Sequence, residues 1–184
     1  MDDRTTNGVT GTALLRNRHT DVKAMFEQLL HSAGAERREL FDCLRATLAV
    51  HETVEEIVIH PKVRSFDEDG ERAVEARLAE EQRAKEVLAE LERIDPNDAT
   101  FIPRLTAFRD AVVAHAEAEE RDIFPRIEQR CSTDEQYKMA ERIEMAEKLA
   151  PTHPHPHGPS GGVGNLIVGP FAAIVDRVRD ALQP

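Results

Sequence analysis

Two short segments of the 184-residue chain carry the same arrangement of histidine and glutamate. In HETVEEIVIHP, which begins at His51, and in HAEAEERDIFP, which begins at His115, the residues His, Glu, Glu, Ile and Pro recur at offsets 0, 4, 5, 8 and 10. Four residues correspond to about 40° around a helix, so each His-x-x-x-Glu pair projects from one helix face. Imidazole and carboxylate groups are common metal ligands, and the duplicated pairs therefore predict a metal site.

The segments that precede these pairs extend the repeat. His19 lies 32 residues before His51, Glu81 lies 34 residues before His115, and apolar residues follow both His19 and Glu81 at offsets 3, 7 and 10. Gln82 is the competing register for the third helix, but it fits the apolar stripe less well than Glu81. A histidine or glutamate on an apolar face costs free energy unless it is satisfied, and a shared metal site would satisfy all of these groups together.

Six residues are therefore the predicted metal ligands: His19, His51, Glu55, Glu81, His115 and Glu119. Six ligands are too many for one tetrahedral zinc ion and suit two metal ions. If Glu55 and Glu119 each bridge, two further ligands remain for each ion, and a bridging oxide or hydroxide still leaves a position for a small molecule. A mixed imidazole and carboxylate set without thiolate favours iron or manganese, with zinc as a further option.

Four amphipathic helices must position these residues. Apolar residues at three- and four-residue steps predict helices over residues 12–31, 36–59, 72–93 and 105–123. Long helices with short connections predict an all-α, antiparallel up-down-up-down four-helix bundle.

His60 and Glu52 lie close to the His51–Glu55 pair but are not included among the six predicted ligands. The His60-Pro61 step is expected to break or kink the second helix. On an ideal helix His60 would lie about 180° from His51, so we expect a structural residue at the helix end. Glu52, next to His51, is interpreted as a neighbour of the metal site, with an extra metal ligand as the alternative.

The rest of the chain is predicted to extend the bundle. A fifth, more polar helix is expected over residues 133–149, capped by Ser132 or Thr133. The Pro-, Gly- and His-rich residues 151–165 are predicted not to be helical, and residues 167–182 are predicted to form a short amphipathic C-terminal helix. We therefore predict two parts, which are a metal-binding bundle over residues 10–130 and a C-terminal extension over residues 131–184.

Three alternate histidines lie in the Pro-rich part of this extension, at His153, His155 and His157. We interpret the segment as a stiff linker whose histidines face solvent. Chelation of a metal by the alternate imidazoles is one alternative. A lid that folds over one end of the bundle and limits access to the metals is another.

Composition excludes several classes of function. Lys and Arg total 24 against 35 Asp and Glu, a formal net charge of −11, which argues against nucleic-acid and anionic-membrane partners. No apolar run approaches the roughly 20 residues of a membrane span. The first ten residues lack the features of a secretory signal, and Cys43 and Cys131 do not make a disulfide framework. We therefore expect a cytoplasmic protein.

The pattern of one ligand-type residue followed by a His-x-x-x-Glu pair, twice in the chain, resembles the hemerythrin-like (HHE cation-binding) family from about Leu14 to Ile127. The resemblance implies a bundle around a non-haem di-iron centre, oxo- or hydroxo-bridged, that meets oxygen, peroxide or nitric oxide. Five of the six predicted ligands fall on family ligand positions. Glu81 departs, because the family usually has histidine there, and the added negative charge favours Fe(III) and argues against reversible oxygen carriage.

We therefore expect a hemerythrin-like protein with two iron ions that binds or reacts with a small oxidant. A peroxide-decomposing or oxidase enzyme is the first alternative, because the site is richer in carboxylate. An iron- or redox-responsive regulatory module is the second, with residues 151–184 as the reporting segment. The expected partners are a small ligand such as oxygen, peroxide or nitric oxide, and the expected state is a monomer or a homodimer through the C-terminal helix.

Overall fold

The computed structural model describes residues 8–149, and every regular element in this part of the chain is helical. The elements are α1 (Gly11–His31), α2 (Gly34–Val54), a π-helical turn (Glu55–Ile59), α3 (His60–Arg64), α4 (Glu68–Leu91), α5 (Phe101–Asp122), α6 (Phe124–Arg130) and α7 (Thr133–Leu149). The predicted linker over residues 151–165 and the predicted helix over residues 167–182 lie outside the described residues. None of the helices of residues 8–149 is long and apolar enough to span a lipid bilayer.

Four long helical rods form an antiparallel bundle, as the sequence predicts. The first rod is α1, and the second is α2, which continues through the π turn into α3. The third rod is α4, and the fourth is α5, which continues into α6. Short connections reverse the chain between them, and the first reversal places Gly34 at a φ of 64°. Glycine has no Cβ and adopts this left-handed conformation without strain.

Side chains define where the helices begin. The side-chain oxygens of Thr10 and Asp67 accept backbone N–H groups at the starts of α1 and α4. At the start of α7 the hydroxyl of Ser132 accepts from the backbone N–H of Glu135, and Glu135 Oε2 accepts from the backbone N–H of Ser132. This reciprocal pair is a capping box. Ser132 is therefore the cap of the predicted fifth helix.

The apolar core lies in two halves, one at each end of the bundle. One half contains Val22, Phe26, Leu29, Phe41, Leu44, Leu48, Leu91, Phe101, Leu105 and Phe108. The other half is built around Leu14, Leu15, Val58, Ile59, Val74, Ile123, Phe124 and Ile143. Each fully buried Leu, Ile or Phe stabilises the fold by about 1.5–3 kcal/mol. Each rod contributes to both halves and carries its predicted metal ligands between them.

Helix α7 packs against α1 and α2 and completes the second half of the core. Met139, Ala140, Ile143 and Ala146 are buried there. A two-point ion pair between Arg18 and Glu147, with N–O distances of 2.7 and 2.8 Å, ties α7 to α1. The division of the chain at residues 130 and 131 stays a prediction.

The second rod does not end at His60-Pro61. The backbone N–H of His60 donates to the carbonyl of Glu55, five residues earlier, and the chain then continues as α3. Pro61 has no N–H and would crowd the carbonyl four residues before it in a regular α-helix, and a wider turn relieves that contact. A π turn uses about one more residue than an α-helical turn, so each residue after it is rotated about 100° less than in a regular α-helix. The side chain of His60 therefore lies about 80° from His51 rather than about 180°.

Candidate metal centre

All six predicted ligand residues converge in the layer between the two halves of the core. His19 comes from α1, Glu81 from α4, and the remaining pairs from α2 with its π turn and from α5. Glu55 and Glu119 are fully buried, and His19 and Glu81 are 3% exposed. Gln82 lies at the surface, where its amide donates to Glu86, so the structure confirms that Glu81 is the inward residue of α4.

The first group of metal-ligand atoms contains His19, His51, Glu55 and Glu119, all within 4.8 Å of one another. The two imidazole Nε2 atoms of His19 and His51 are 3.2 Å apart. Glu119 Oε2 lies 3.3 Å from His19 Nε2, and Glu55 Oε1 lies 3.1 Å from His51 Nε2. Two nitrogens and two oxygens thus point toward one small volume, as the ligands of a metal ion do.

The second group contains Glu55, Glu81 and His115, and it shares Glu55 with the first. Glu119 also contacts both groups, because its Oε1 atom lies 3.5 Å from His115 Nε2 while its Oε2 atom faces His19. Two carboxylates therefore lie between two sets of outer ligands. This geometry suits a pair of metal ions joined by Glu55 and Glu119.

Orphaned oxygen atoms show that these residues fit a cation. No oxygen of Glu55 or Glu119, nor Oε1 of Glu81, accepts a well-formed hydrogen bond from the described residues, although all are buried. A buried carboxylate oxygen without a partner is costly. A metal ion in each group would satisfy these oxygens and neutralise their charge.

The pKa values of the site reflect crowded negative charge. Burial and the nearby charge of Glu119 raise the pKa of Glu55 well above its ordinary value. Burial and the charge of Glu52 raise the pKa of Glu81 to about 7. Burial alone would lower the pKa of His115, but the close contact with the negatively charged Glu119 raises it to about 10. Bound cations would take the place of these protons, because metal ligands bind in the deprotonated form.

Two glutamates outside the set of predicted ligands hold the ring orientation of His19 and His115. His19 Nδ1 donates to Glu120 Oε1 at 2.8 Å, and His115 Nδ1 donates to Glu80 Oε2 at 3.0 Å. Such bonds leave the Nε2 lone pair of each ring available for a metal. The signal that could have found them is the doubled glutamate, since Glu80 and Glu120 adjoin the predicted ligands in the chain.

Further charged residues surround this layer. Arg77, which is 7% exposed, donates to Glu80 Oε1 at 2.8 Å and extends the hydrogen bonds behind His115. Glu52 lies outside both ligand groups and pairs with Lys85 at 3.0 Å. Lys85 Nζ also lies 3.9 Å from Glu81 Oε2, so a cation borders the carboxylate-rich side of the site.

His60 lies beside the site, whereas a regular helix would have directed it away from His51. The π turn rotates its imidazole inward, where it is 1% exposed and its Nε2 atom lies 3.7 Å from Glu81 Oε1. Burial lowers the pKa of His60 to about 4, so the ring is neutral. The direction of His60 departs from the prediction because the helix is not a regular α-helix over residues 55–59.

A cavity of about 40 Å³ opens on one side of the metal layer. Among the described residues, four of the six predicted ligands line it, whereas Glu55 and Glu119 do not. Its other walls are largely apolar, with Val22, Leu48, Ala84, Leu88, Phe108 and Val112. A water molecule needs about 10–15 Å³ of such space, so the cavity has room for a molecule of only a few heavy atoms.

Known proteins share this architecture. Residues 10–127 match the model of the hemerythrin HHE cation binding domain. The chain is 34% identical over 137 residues to an uncharacterised hemerythrin-like protein of Schizosaccharomyces pombe, covering 74% of this chain and 68% of that protein. It is 27% identical over 135 residues to a DNA nickase of a Nostoc species, covering 73% of this chain and 38% of that protein.

One solved structure with the same fold is the crystal structure of a hemerythrin HHE cation binding domain-containing protein from Mycobacterium kansasii. It superposes with a TM-score of 0.69 over 76% of this chain and 86% of that chain, at 22% identity.

Proposed function

Because the chain belongs to the hemerythrin HHE cation-binding family and is a metal-binding protein of that fold, we propose that it is a non-haem di-iron protein. In this proposal the carboxylate-bridged centre binds or reacts with a small oxidant, namely oxygen, peroxide or nitric oxide. The observation that carries the proposal is the shared position of Glu55 in both ligand groups.

The donor atoms support iron as the metal. Three imidazoles and three carboxylates converge without any thiolate, a set that suits iron or manganese and is less selective for zinc. Facing helices that supply carboxylates and histidines to the interior of a bundle are the common framework of di-iron and di-manganese sites. The full complement of imidazole and carboxylate ligands is used only if two ions bind.

The cavity supports a small ligand. It lies against His19, His51, Glu81 and His115, so a small molecule there would meet the outer ligands and not the bridging carboxylates. A bound pair of iron ions would supply electron transfer to and from such a molecule. The chain itself orients the imidazoles through Glu80 and Glu120 and limits the size of the molecule that enters.

Metal analysis and absorption spectroscopy of the full chain test this proposal. We expect about two iron ions per chain and a visible spectrum that changes when azide is added. Glu81→Ala should lower the iron content, whereas Gln82→Ala, at the exposed neighbouring position of α4, should leave it unchanged. A chain that stays free of iron after anaerobic incubation with Fe(II) would contradict the proposal.

The Glu52–Lys85 ion pair favours decomposition of hydrogen peroxide as a second candidate function. Both residues line the cavity, and their 3.0 Å contact places an ammonium group where a proton donor could assist cleavage of an O–O bond. Oxygen evolution from peroxide measures this activity. We expect Lys85→Met to reduce turnover at least about tenfold with full iron content, and Lys23→Met, at another lysine of the cavity wall, to have a smaller effect. Iron-loaded protein without turnover would rule it out.

A further inference from the structure

His60 is a buried imidazole beside the six-residue ligand set. It is 1% exposed, and neither ring nitrogen makes a well-formed hydrogen bond with the described residues. A buried polar group in this situation is costly and calls for an explanation. The polar atom that its Nε2 approaches is Oε1 of Glu81, at 3.7 Å, and that oxygen is itself without a hydrogen-bond partner among the described residues.

The internal repeat gives His60 a counterpart, Phe124, at the same offset from the second His-x-x-x-Glu pair. The ring of Phe124 stacks on the imidazole of His19, with ring centroids 5.6 Å apart and planes inclined by 15°. His19 and Glu81 occupy equivalent positions on the first helices of the two repeats. In both repeats, therefore, the residue nine positions after the histidine of the pair contacts the predicted ligand of the neighbouring rod.

The two repeats place the imidazole on opposite sides of this contact, as the predicted ligand in one repeat and as the residue beside the ligand in the other. In one repeat the apolar ring of Phe124 packs on the imidazole of His19, which already donates from Nδ1 to Glu120. In the other repeat the imidazole of His60 faces the carboxylate of Glu81, whose Oε1 atom accepts no well-formed hydrogen bond from the described residues. A neutral N–H donor is suited to a carboxylate that must keep its negative charge for a metal.

We propose that His60 is a positioning residue for the second metal, donating from Nε2 to Oε1 of Glu81 and fixing the orientation of that carboxylate. The inference rests on the proposed metal site. On its other edge Glu81 Oε2 faces Lys85 Nζ at 3.9 Å, so His60 and Lys85 together confine the carboxylate. The π turn is essential to this role, because it carries His60 around the helix to the side of α4.

Iron competition titrations of the full chain against a chelator test the proposal. We expect His60→Phe, which installs the residue of the other half, to weaken the binding of one metal about 10- to 100-fold, the usual effect of losing such a partner. His60→Gln keeps an N–H donor and should restore most of the affinity. Val63→Ala, a buried change in α3 on the apolar side of the site, controls for a loosened fold. Circular dichroism confirms that each variant folds.

The outcomes separate this inference from the proposed function. A wild-type chain that binds no metal overturns both. A wild-type chain whose metal affinity is unchanged in His60→Phe overturns the inference alone. Equal loss in His60→Gln and His60→Phe also overturns it, because a positioning hydrogen bond would be rescued by the amide whereas a direct imidazole ligand would not. If His60→Phe does not fold, the comparison of His60→Gln with Val63→Ala decides, since the inference requires near wild-type affinity in both.

Discussion

A carboxylate oxygen of Glu55 lies within 4.8 Å of one of Glu119, and both side chains are fully buried between four helices. Like charges at this separation in a buried layer repel each other, and none of the four oxygens has a well-formed hydrogen bond from the described residues. The fold therefore maintains an arrangement that is unfavourable without cations and favourable with them.

Substitution of Glu55 by Gln should change stability in opposite directions with and without metal. In chelator-treated protein at pH 8 we expect Glu55→Gln to raise the free energy of unfolding by roughly 1–3 kcal/mol, because a buried carboxylate is removed. In iron-loaded protein it should lower the melting temperature, because a bridging ligand is lost. Thermal unfolding in both states measures the effect, with the exposed Glu75→Gln as the control. Equal shifts in the two states would argue against a bridging role.

Removal of the glutamates behind the histidines should weaken metal binding. Glu80→Ala and Glu120→Ala each take away the acceptor that fixes a ring through Nδ1, and we expect each to reduce metal affinity about 10- to 100-fold. Chelator competition measures the affinity. Glu117→Ala, a surface change on α5, should bind metal like the wild type. Full affinity in both test variants would show that ring orientation is set by packing alone.

Filling the cavity should block the small ligand and spare the metals. Ala84 lines the cavity from α4, so we expect Ala84→Leu to keep the iron content while azide binds at least about tenfold more weakly, since the leucine competes for about 40 Å³ of space. Azide titrations followed by absorption provide the measurement. Ala79→Leu adds the same atoms at an exposed position of α4 and serves as the control. Unchanged azide affinity would place the ligand elsewhere.

The capping box of α7 should give a pH-dependent contribution to stability. The hydrogen bond from Lys62, together with those from the backbone N–H and hydroxyl of Ser132, lowers the pKa of Glu135 to about 2 from an ordinary value of 4.5. A depressed pKa in the folded state stabilises the fold above the ordinary pKa, and this contribution is lost as the pH falls toward 2. Glu135→Gln should therefore be less stable than the wild type at pH 7, and the gap should narrow toward pH 3.

Urea unfolding between pH 7 and pH 3 measures that gap. Glu141→Gln, at an exposed position of the same helix, should show no such convergence. A gap for Glu135→Gln that stays constant across the range would mean that the carboxylate charge does not contribute. Ser132→Ala should cost about 1 kcal/mol at neutral pH, the usual effect of a lost N-cap.

The bundle and the convergence of its six ligand-type residues follow from local spacing. Helical periodicity is a property of neighbouring residues, so the steps between His51 and Glu55 or between His115 and Glu119 fix a shared face before any tertiary contact forms. The duplicated segments then require two facing pairs. Even the inward position of Glu81 over Gln82 could be predicted from its place in the apolar stripe.

The surroundings of that set depended on the tertiary structure. The direction of His60 could not be predicted by counting residues, because a π turn changes the rotation of every residue after it. That turn lies directly before His60 and Pro61. The hydrogen bonds from His19 to Glu120 and from His115 to Glu80 join residues about 100 and 35 positions apart, which no local pattern relates. The sequence alone thus determined which groups face the axis of the bundle, through helix geometry. Only the packing of one rod on another decided which groups meet there, how they are held, and on which side the cavity opens.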